Sequence, residues 1–205
     1  MAAFYFDLAS PLSYLASERV LDVLPEPAEW QPVLLSELVP DGRAVAGAGD
    51  RDHVELPSEF GLDALRAEVE RRAHALGLQP LRWPHPFPFD SALAMRAATY
   101  AKSIGRAVPF AQAAFRQAFA GGRSLQELDN VLIAAAACEM HPAAVRRGTE
   151  LRTVERELSA LTARAALIGI VDVPAVVIGQ RVFLGERLLE EAAAFMSSPS
   201  PAGSR

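Results

Sequence analysis

The stretch "FYFDLASPLSYLASERVL", residues 4–21, predicts a buried strand that passes directly into a helix. Its first half is aromatic and compact, as is common in strands that lie inside a sheet. Ser10 has a side chain preferred at a helix N-cap, and Pro11 stands at the first helical position, where its missing N–H group has no cost. Leu12 and Leu15 then follow at the spacing of a buried helical stripe.

The two ends of the chain complete this pattern. "WQPVLLSEL", residues 30–38, predicts a second strand, so the N-terminal part is a β-α-β unit with two parallel strands. Near the C-terminus, "VPAVVIG" and "RVFLG", residues 173–179 and 181–185, predict a strand hairpin, and residues 186–196 predict an amphipathic helix.

Helical patterns dominate the sequence between these ends. The order β-α-β, helical insert, β-β-α predicts an α/β protein with a thioredoxin-like fold and a large all-helical insertion. We therefore expect a discontinuous thioredoxin-like domain of residues 1–40 and 166–197, a helical insertion domain of residues 41–165, and a disordered tail of residues 198–205.

Composition excludes several classes of function. The 205 residues carry a net charge of −5 without a dense basic cluster, so we expect no nucleic-acid partner. No apolar run approaches the roughly 20 residues that span a bilayer, and the N-terminus lacks the basic segment of a signal peptide. Cys138 is the single cysteine, which excludes an internal disulfide and dithiol redox chemistry and makes the reducing cytoplasm the expected location. The four histidines lack metal-binding spacing, so no metal site is expected.

Ser10 stands where a redox protein of similar outline carries a cysteine. A serine hydroxyl is a weak nucleophile without a base, and neither a G-x-S-x-G elbow nor a recognisable triad is present. At a helix N-terminus, however, free N–H groups and the helix dipole favour an anion. Ser10 is therefore predicted to hold the thiolate of a ligand rather than to attack a substrate.

Two further segments fit the same ligand. In thioredoxin-like folds the residue before a cis-proline faces the active-site corner, and the free backbone groups of Val173, before Pro174, could pair with a peptide-like ligand as an added strand. An ordinary strand-opening proline is the alternative. The backbone N–H groups of Gly185 and Glu186, at the start of the last helix, could receive a carboxylate, and the Glu186 side chain could bind an ammonium. A tripeptide thiol with a γ-glutamyl end would span all three segments.

These motifs resemble those of the 2-hydroxychromene-2-carboxylate isomerases and kappa-class glutathione transferases, of the DsbA-like group. The likeness rests on three stretches: "FYFDLASPLSYLA", "HPFPFDSALAMRAA" and "VPAVVIGQRVFLGERLLE". The resemblance implies reduced glutathione as cofactor, with Ser10 at its thiol and Pro11, Leu12, Val173 and Pro174 beside it. It also implies that Gly185 and Glu186 bind the γ-glutamyl end, and it suggests a homodimer.

The resemblance also implies a small aromatic substrate. Arg43 is carried over as a basic substrate contact, and Asp90 stands where the family often has asparagine. Trp83, Phe87 and Phe89 could wall an aromatic pocket; the alternative is a proline-aromatic cluster that packs two domains together. For this chain we therefore expect a glutathione-dependent isomerase, in which, as the resemblance implies, the glutathione thiolate adds reversibly to the aromatic substrate. Two other functions stay open: a kappa-like transferase or peroxidase, and a non-catalytic binding module of thioredoxin fold.

Overall fold

The computed structural model describes residues 1–38 and 59–198 of the chain. These residues form four strands and ten helices: β1 Ala2–Phe6, α1 Pro11–Ser17, α2 Val20–Val23, β2 Ala28–Pro32, α3 Leu35–Leu38, α4 Glu59–Ala75, α5 Ala92–Ser103, α6 Ala107–Phe119, α7 Leu128–Ala136, α8 Pro142–Thr149, α9 Arg152–Leu167, β3 Ala175–Ile178, β4 Arg181–Phe183 and α10 Leu188–Ser197. Within them, no helix is long and apolar enough to cross a membrane.

The four strands form one mixed sheet in the order β2-β1-β3-β4. β1 and β2 run parallel, in a register that sets Ala2 opposite Ala28. β3 is antiparallel to both β1 and β4. The β-α-β unit, the terminal hairpin and the closing helix are therefore confirmed, and so is the α/β thioredoxin-like fold with a large helical insertion.

The predicted second strand, residues 30–38, is wrong in its second half. β2 begins earlier, at Ala28, and ends at Pro32, after which the chain turns into α3. The reason is that side chains take the backbone N–H groups beyond the strand. The Leu34 N–H donates to Thr162 Oγ1 at 3.0 Å, and the Leu35 N–H donates to Asp7 Oδ2 at 2.9 Å.

Helices cover both faces of the sheet. Alternation along β1 places Phe4 and Phe6 in the larger core, where the Phe6 ring lies 5.9 Å from that of Phe115 in α6. Tyr5 points to the other face, into a smaller cluster that contains Ala165 of α9. The predicted domain boundary between residues 165 and 166 falls inside α9, and the division into two domains stays a prediction.

Candidate active site

The chain turns sharply at Ser10, between β1 and α1. Ser10 is the N-cap residue of α1, as predicted, and its Oγ accepts a hydrogen bond from the Ser13 N–H at 3.1 Å. Pro11 occupies the first turn of the helix. The Ser10 hydroxyl also donates to the carbonyl oxygen of Val173 at 3.4 Å, although 163 residues separate the two in sequence. The serine corner and the segment before β3 therefore meet, as the sequence predicted.

The backbone N–H and carbonyl groups of Val173 were expected to be free for a ligand, and the structure differs in this respect. The Val173–Pro174 peptide bond is cis, and Val173 lies outside the ladders that β3 makes with its neighbours. Its carbonyl oxygen accepts from Ser10, and its N–H donates to Asp172 Oδ1 at 2.7 Å. Both backbone groups therefore already have a side-chain partner within this chain.

Asp7 holds the serine corner in place. Its buried carboxylate accepts hydrogen bonds from the Ala9 N–H at 2.8 Å, the Leu35 N–H at 2.9 Å and the Ser91 hydroxyl at 2.9 Å. Burial raises the pKa of Asp7, and these hydrogen bonds only partly offset the effect. Asp7 therefore ties the end of β1 to the start of α3 and to the N-terminus of α5.

A charged cavity of about 600 Å³ opens on one side of the corner. Three guanidinium groups and three carboxylates line it: Arg19, Arg71, Arg72, Glu68, Asp172 and Glu186. Leu12, Leu15 and Leu65 supply apolar wall. The cavity is therefore lined by both positive and negative side chains, and part of its wall is apolar.

Most of these charges are already paired. Arg71 makes two hydrogen bonds to the carboxylate of Glu68, at 2.9 and 2.7 Å, and Arg72 bonds to the same carboxylate. The hydrogen bonds from Arg71 and Arg72 lower the pKa of Glu68 to about 2. Arg72 also lies 3.5 Å from Glu186, and Arg19 pairs with Glu190.

A smaller cavity of about 260 Å³ opens on the other side. Its wall includes Ser10, Pro11, Phe87, Phe89 and the exposed Asp90, so it combines aromatic rings with the serine hydroxyl. Phe87 and Phe89, two of the three residues predicted to wall an aromatic pocket, therefore line this cavity, and so does the predicted substrate contact Asp90.

Among the described residues, four line both cavities: Leu12, Leu65, Asp172 and Val173. Of these, Asp172 alone is ionisable. Burial raises its pKa to about 6, an effect that the hydrogen bond from the Val173 N–H only partly offsets. The sequence interpretation missed this residue, although an acid directly before the apolar run "VPAVVIG" was a usable signal.

The remaining predicted site residues are distributed as follows. Pro174, Gly185 and Glu186 line the charged cavity. Gly185 has a φ of +90°, which favours glycine at this turn. Glu186, predicted to bind an ammonium, has the guanidinium of Arg72 as its neighbour. Arg43 lies outside the described residues.

Trp83 is not brought to the site, because it lines neither cavity. Its indole N–H donates to Glu70 at 2.7 Å, and its ring packs 4.8 Å from that of Phe87. Trp83 therefore packs against Phe87, which lines the aromatic cavity, while the packing of two domains by this cluster stays a prediction. In the same described part of the chain, no group of three or more His, Cys, Asp or Glu side chains is arranged to hold a metal ion.

Comparison with known proteins shows the fold and the family of the chain. The structure resembles that of a 2-hydroxychromene-2-carboxylate isomerase, with a TM-score of 0.78 and 20% identity over 95% of this chain and 94% of the other. It also resembles a probable DsbA oxidoreductase from Streptomyces coelicolor, with a TM-score of 0.72 and 18% identity over 100% of this chain and 93% of the other.

A third similar structure is the cytosolic disulfide reductase DsbM from Pseudomonas aeruginosa with GSH, with a TM-score of 0.63 and 14% identity over 95% and 96% of the two chains. A search of curated proteins found no match. The family model of the DsbA-like thioredoxin domain matches residues 2–196. The chain therefore belongs to the DsbA-like thioredoxin-domain family.

Proposed function

We propose that this protein is a glutathione-dependent isomerase of the 2-hydroxychromene-2-carboxylate isomerase type. The observation that carries the proposal is the position of Ser10, which faces Val173 where a charged cavity and an aromatic cavity share a wall. Ser10 lines the aromatic cavity, and its contact with Val173 brings its hydroxyl to the shared wall, where a thiol cofactor in the charged cavity and an aromatic substrate in the other would meet. The similarity to the solved isomerase supports the same assignment.

The charged cavity fits the chemistry of glutathione. Its volume of about 600 Å³ lies within the range of small-molecule sites, roughly 300–1,000 Å³. Glutathione has two carboxylates, one ammonium, two amides and a thiol. The guanidinium groups of Arg19, Arg71 and Arg72 suit its carboxylates, because guanidinium and carboxylate form paired hydrogen bonds. The Glu186 carboxylate, 65% exposed at its side chain, suits the ammonium.

Glutathione, when bound, would supply a thiolate that adds reversibly to the substrate. The contribution of this chain is to stabilise that sulfur as an anion. The Ser10 hydroxyl is a hydrogen-bond donor held in a fixed position by the helix cap, and the N-terminus of α1 adds a favourable dipole. The long 3.4 Å contact with Val173 leaves this hydroxyl free to exchange one acceptor for a stronger one.

The aromatic cavity would hold and orient the substrate. Phe87 and Phe89 present ring surface, and Leu12 and Leu65 continue the apolar wall toward the charged cavity. An apolar wall excludes water, which strengthens the electrostatic effect of a nearby donor on a developing charge. We further propose a cytoplasmic location, supported by the single buried Cys138, and retain the homodimer as a proposal.

Calorimetric titration with glutathione tests the first requirement of this function. We expect binding at millimolar concentrations or tighter, and no binding in that range would refute the proposal. Ser10→Ala should then lower kcat/KM for a 2-hydroxychromene-2-carboxylate by about 100-fold or more, the usual effect of losing one preorganised donor. Ser103→Ala is the matched control, because its exposed hydroxyl bonds only within α5. Conjugation of a generic electrophile without isomerisation would favour the transferase instead.

A further inference from the structure

The backbone N–H group of Val173 can donate one hydrogen bond, and the neighbouring carboxylate of Asp172 already accepts it. The distance from this nitrogen to Asp172 Oδ1 is 2.7 Å, which is short for a hydrogen bond from a backbone amide. Val173 itself is 2% exposed, yet it lines both cavities. Asp172 therefore occupies the backbone donor that lies at the shared wall of the two cavities.

The carbonyl group of Val173 does not have the same restriction. Its oxygen has two lone pairs, so it can accept from the Ser10 hydroxyl and from a ligand amide at the same time. A ligand that pairs with Val173 as an added strand needs both backbone groups. The N–H group alone must therefore change partner when such a ligand binds.

We propose that the Asp172 carboxylate is an internal competitor for the ligand, which must displace it from the Val173 N–H in order to bind. This inference rests on the proposed function, since it assumes a peptide-like thiol in the charged cavity. The displaced carboxylate would remain in a cavity that carries the guanidinium groups of Arg19, Arg71 and Arg72. Asp172 thus sets the affinity of the site for its cofactor.

The competition depends on pH. Because the pKa of Asp172 is about 6, the side chain loses its charge as the pH falls through this value. A neutral carboxyl group accepts a hydrogen bond less strongly than a carboxylate, so ligand affinity should rise toward acid. Other charged groups also face Asp172 across the two cavities. They are Arg19 after α1, Glu68, Arg71 and Arg72 on α4, Glu186 before α10, Asp7 after β1 and Asp90 before α5.

Two substitutions separate the effect of the hydrogen bond from the effect of charge. Asp172→Ala removes both the charge and the acceptor, whereas Asp172→Asn removes the charge and keeps an acceptor oxygen of similar position. Asp129→Ala is the control, since it removes an exposed carboxylate on α7 that lines neither cavity. The probe is S-methylglutathione, whose sulfur cannot ionise, so that thiol titration does not contribute to the pH dependence.

Calorimetry on the full chain between pH 5 and pH 8 measures the outcome. At pH 8 we expect Asp172→Ala to bind about 10-fold more tightly than the wild type, as for the loss of a charge-assisted competitor, with Asp172→Asn in between. The affinity of the wild type should rise as the pH falls through 6, more steeply than that of Asp172→Asn. Any pH dependence left in the asparagine variant belongs to the other facing groups.

Three results would overturn the inference. Equal affinity of the wild type and Asp172→Ala would exclude competition while leaving the proposed function intact. Equal gains in Asp172→Ala and Asp172→Asn would show that charge, and not occupation of the N–H, limits binding. Absence of binding to the wild type and to Asp172→Ala alike would refute the proposed function together with the inference.

Discussion

Replacement of Asp172 by asparagine should stabilise the folded protein at neutral pH. In the wild type, burial raises the pKa of this carboxyl from 3.8 to about 6, so the folded state resists its ionisation. Between these two values the folded chain binds more protons than the unfolded chain, and the free energy of unfolding therefore falls as the pH rises. The asparagine side chain resembles the protonated acid in size and lack of charge, and it removes this penalty.

The size of the effect follows from the shift. At about 1.4 kcal/mol per pKa unit, a rise from 3.8 to about 6 amounts to about 3 kcal/mol of lost stability once the pH exceeds 6. This is an upper limit, because the side chain is only partly shielded from solvent. Below pH 3.8 the penalty vanishes, and at pH 5 linkage leaves about 1.5 kcal/mol of it.

Urea unfolding of both proteins, followed by circular dichroism at constant ionic strength, measures this difference. The advantage of Asp172→Asn in the free energy of unfolding should about double between pH 5 and pH 8, from at most about 1.5 kcal/mol to at most about 3 kcal/mol. Asp129→Asn, an exposed site on α7, should change stability by no more than about 0.5 kcal/mol. An advantage that stays constant from pH 5 to pH 8 would show that burial of the charge does not explain it.

Three further substitutions test packing and the site. Gly148→Ala should lower the free energy of unfolding by about 2 kcal/mol, because an added Cβ would lie 2.5 Å from Cγ of the Tyr100 ring; an unchanged Tm would contradict this. Asp7→Asn should cost about 1–3 kcal/mol in urea unfolding, since an amide NH₂ would replace an acceptor oxygen among three donors, and full stability would contradict the bracing role. Phe87→Ala should raise KM for the aromatic substrate several-fold and leave glutathione affinity unchanged. Phe195→Ala is the control, because Phe195 lies outside both cavities. A loss of glutathione affinity in Phe87→Ala would mean that the two cavities are not separate subsites.

The parts of the fold that the sequence predicted are those set by local signals. Ser10 and Pro11 define a helix start through their own backbone and side-chain preferences, and the structure has the cap as expected. The β-branched run that becomes β3 is similarly self-contained. Both signals lie within a few residues of the feature that they predict.

The end of β2 depends on contacts that local sequence signals do not predict. Leu34 and Leu35 belong to an apolar run that favours a continued strand. However, the Leu34 N–H donates a hydrogen bond to Thr162, 128 residues away, and the Leu35 N–H donates one to Asp7, 28 residues away. Hydrogen bonds of this kind depend on tertiary placement, which the spacing of apolar residues does not encode. A strand can therefore be predicted more reliably than the residue at which it stops.

The charged cavity could not be predicted from the sequence for a related reason. Arg71 and Arg72 sit on α4, where a run of acids and bases normally indicates a solvent-exposed helix face. Only the packing of the chain brings them to the same cavity as Glu186, from the turn before α10. Sequence spacing relates residues within a helix, whereas this cavity is built between helices.

Asp172 combines a local signal with a tertiary cause. An acid at the entrance to a buried strand conflicts with the local pattern, and such conflicts are expected where function, rather than stability, selects the residue. Its carboxylate lies at the shared wall of two cavities. This position explains both the lower free energy of unfolding at neutral pH and the hydrogen bond that the carboxylate accepts from the Val173 N–H. Stability and ligand affinity should therefore improve together when this charge is removed, which a residue selected for stability alone would not allow.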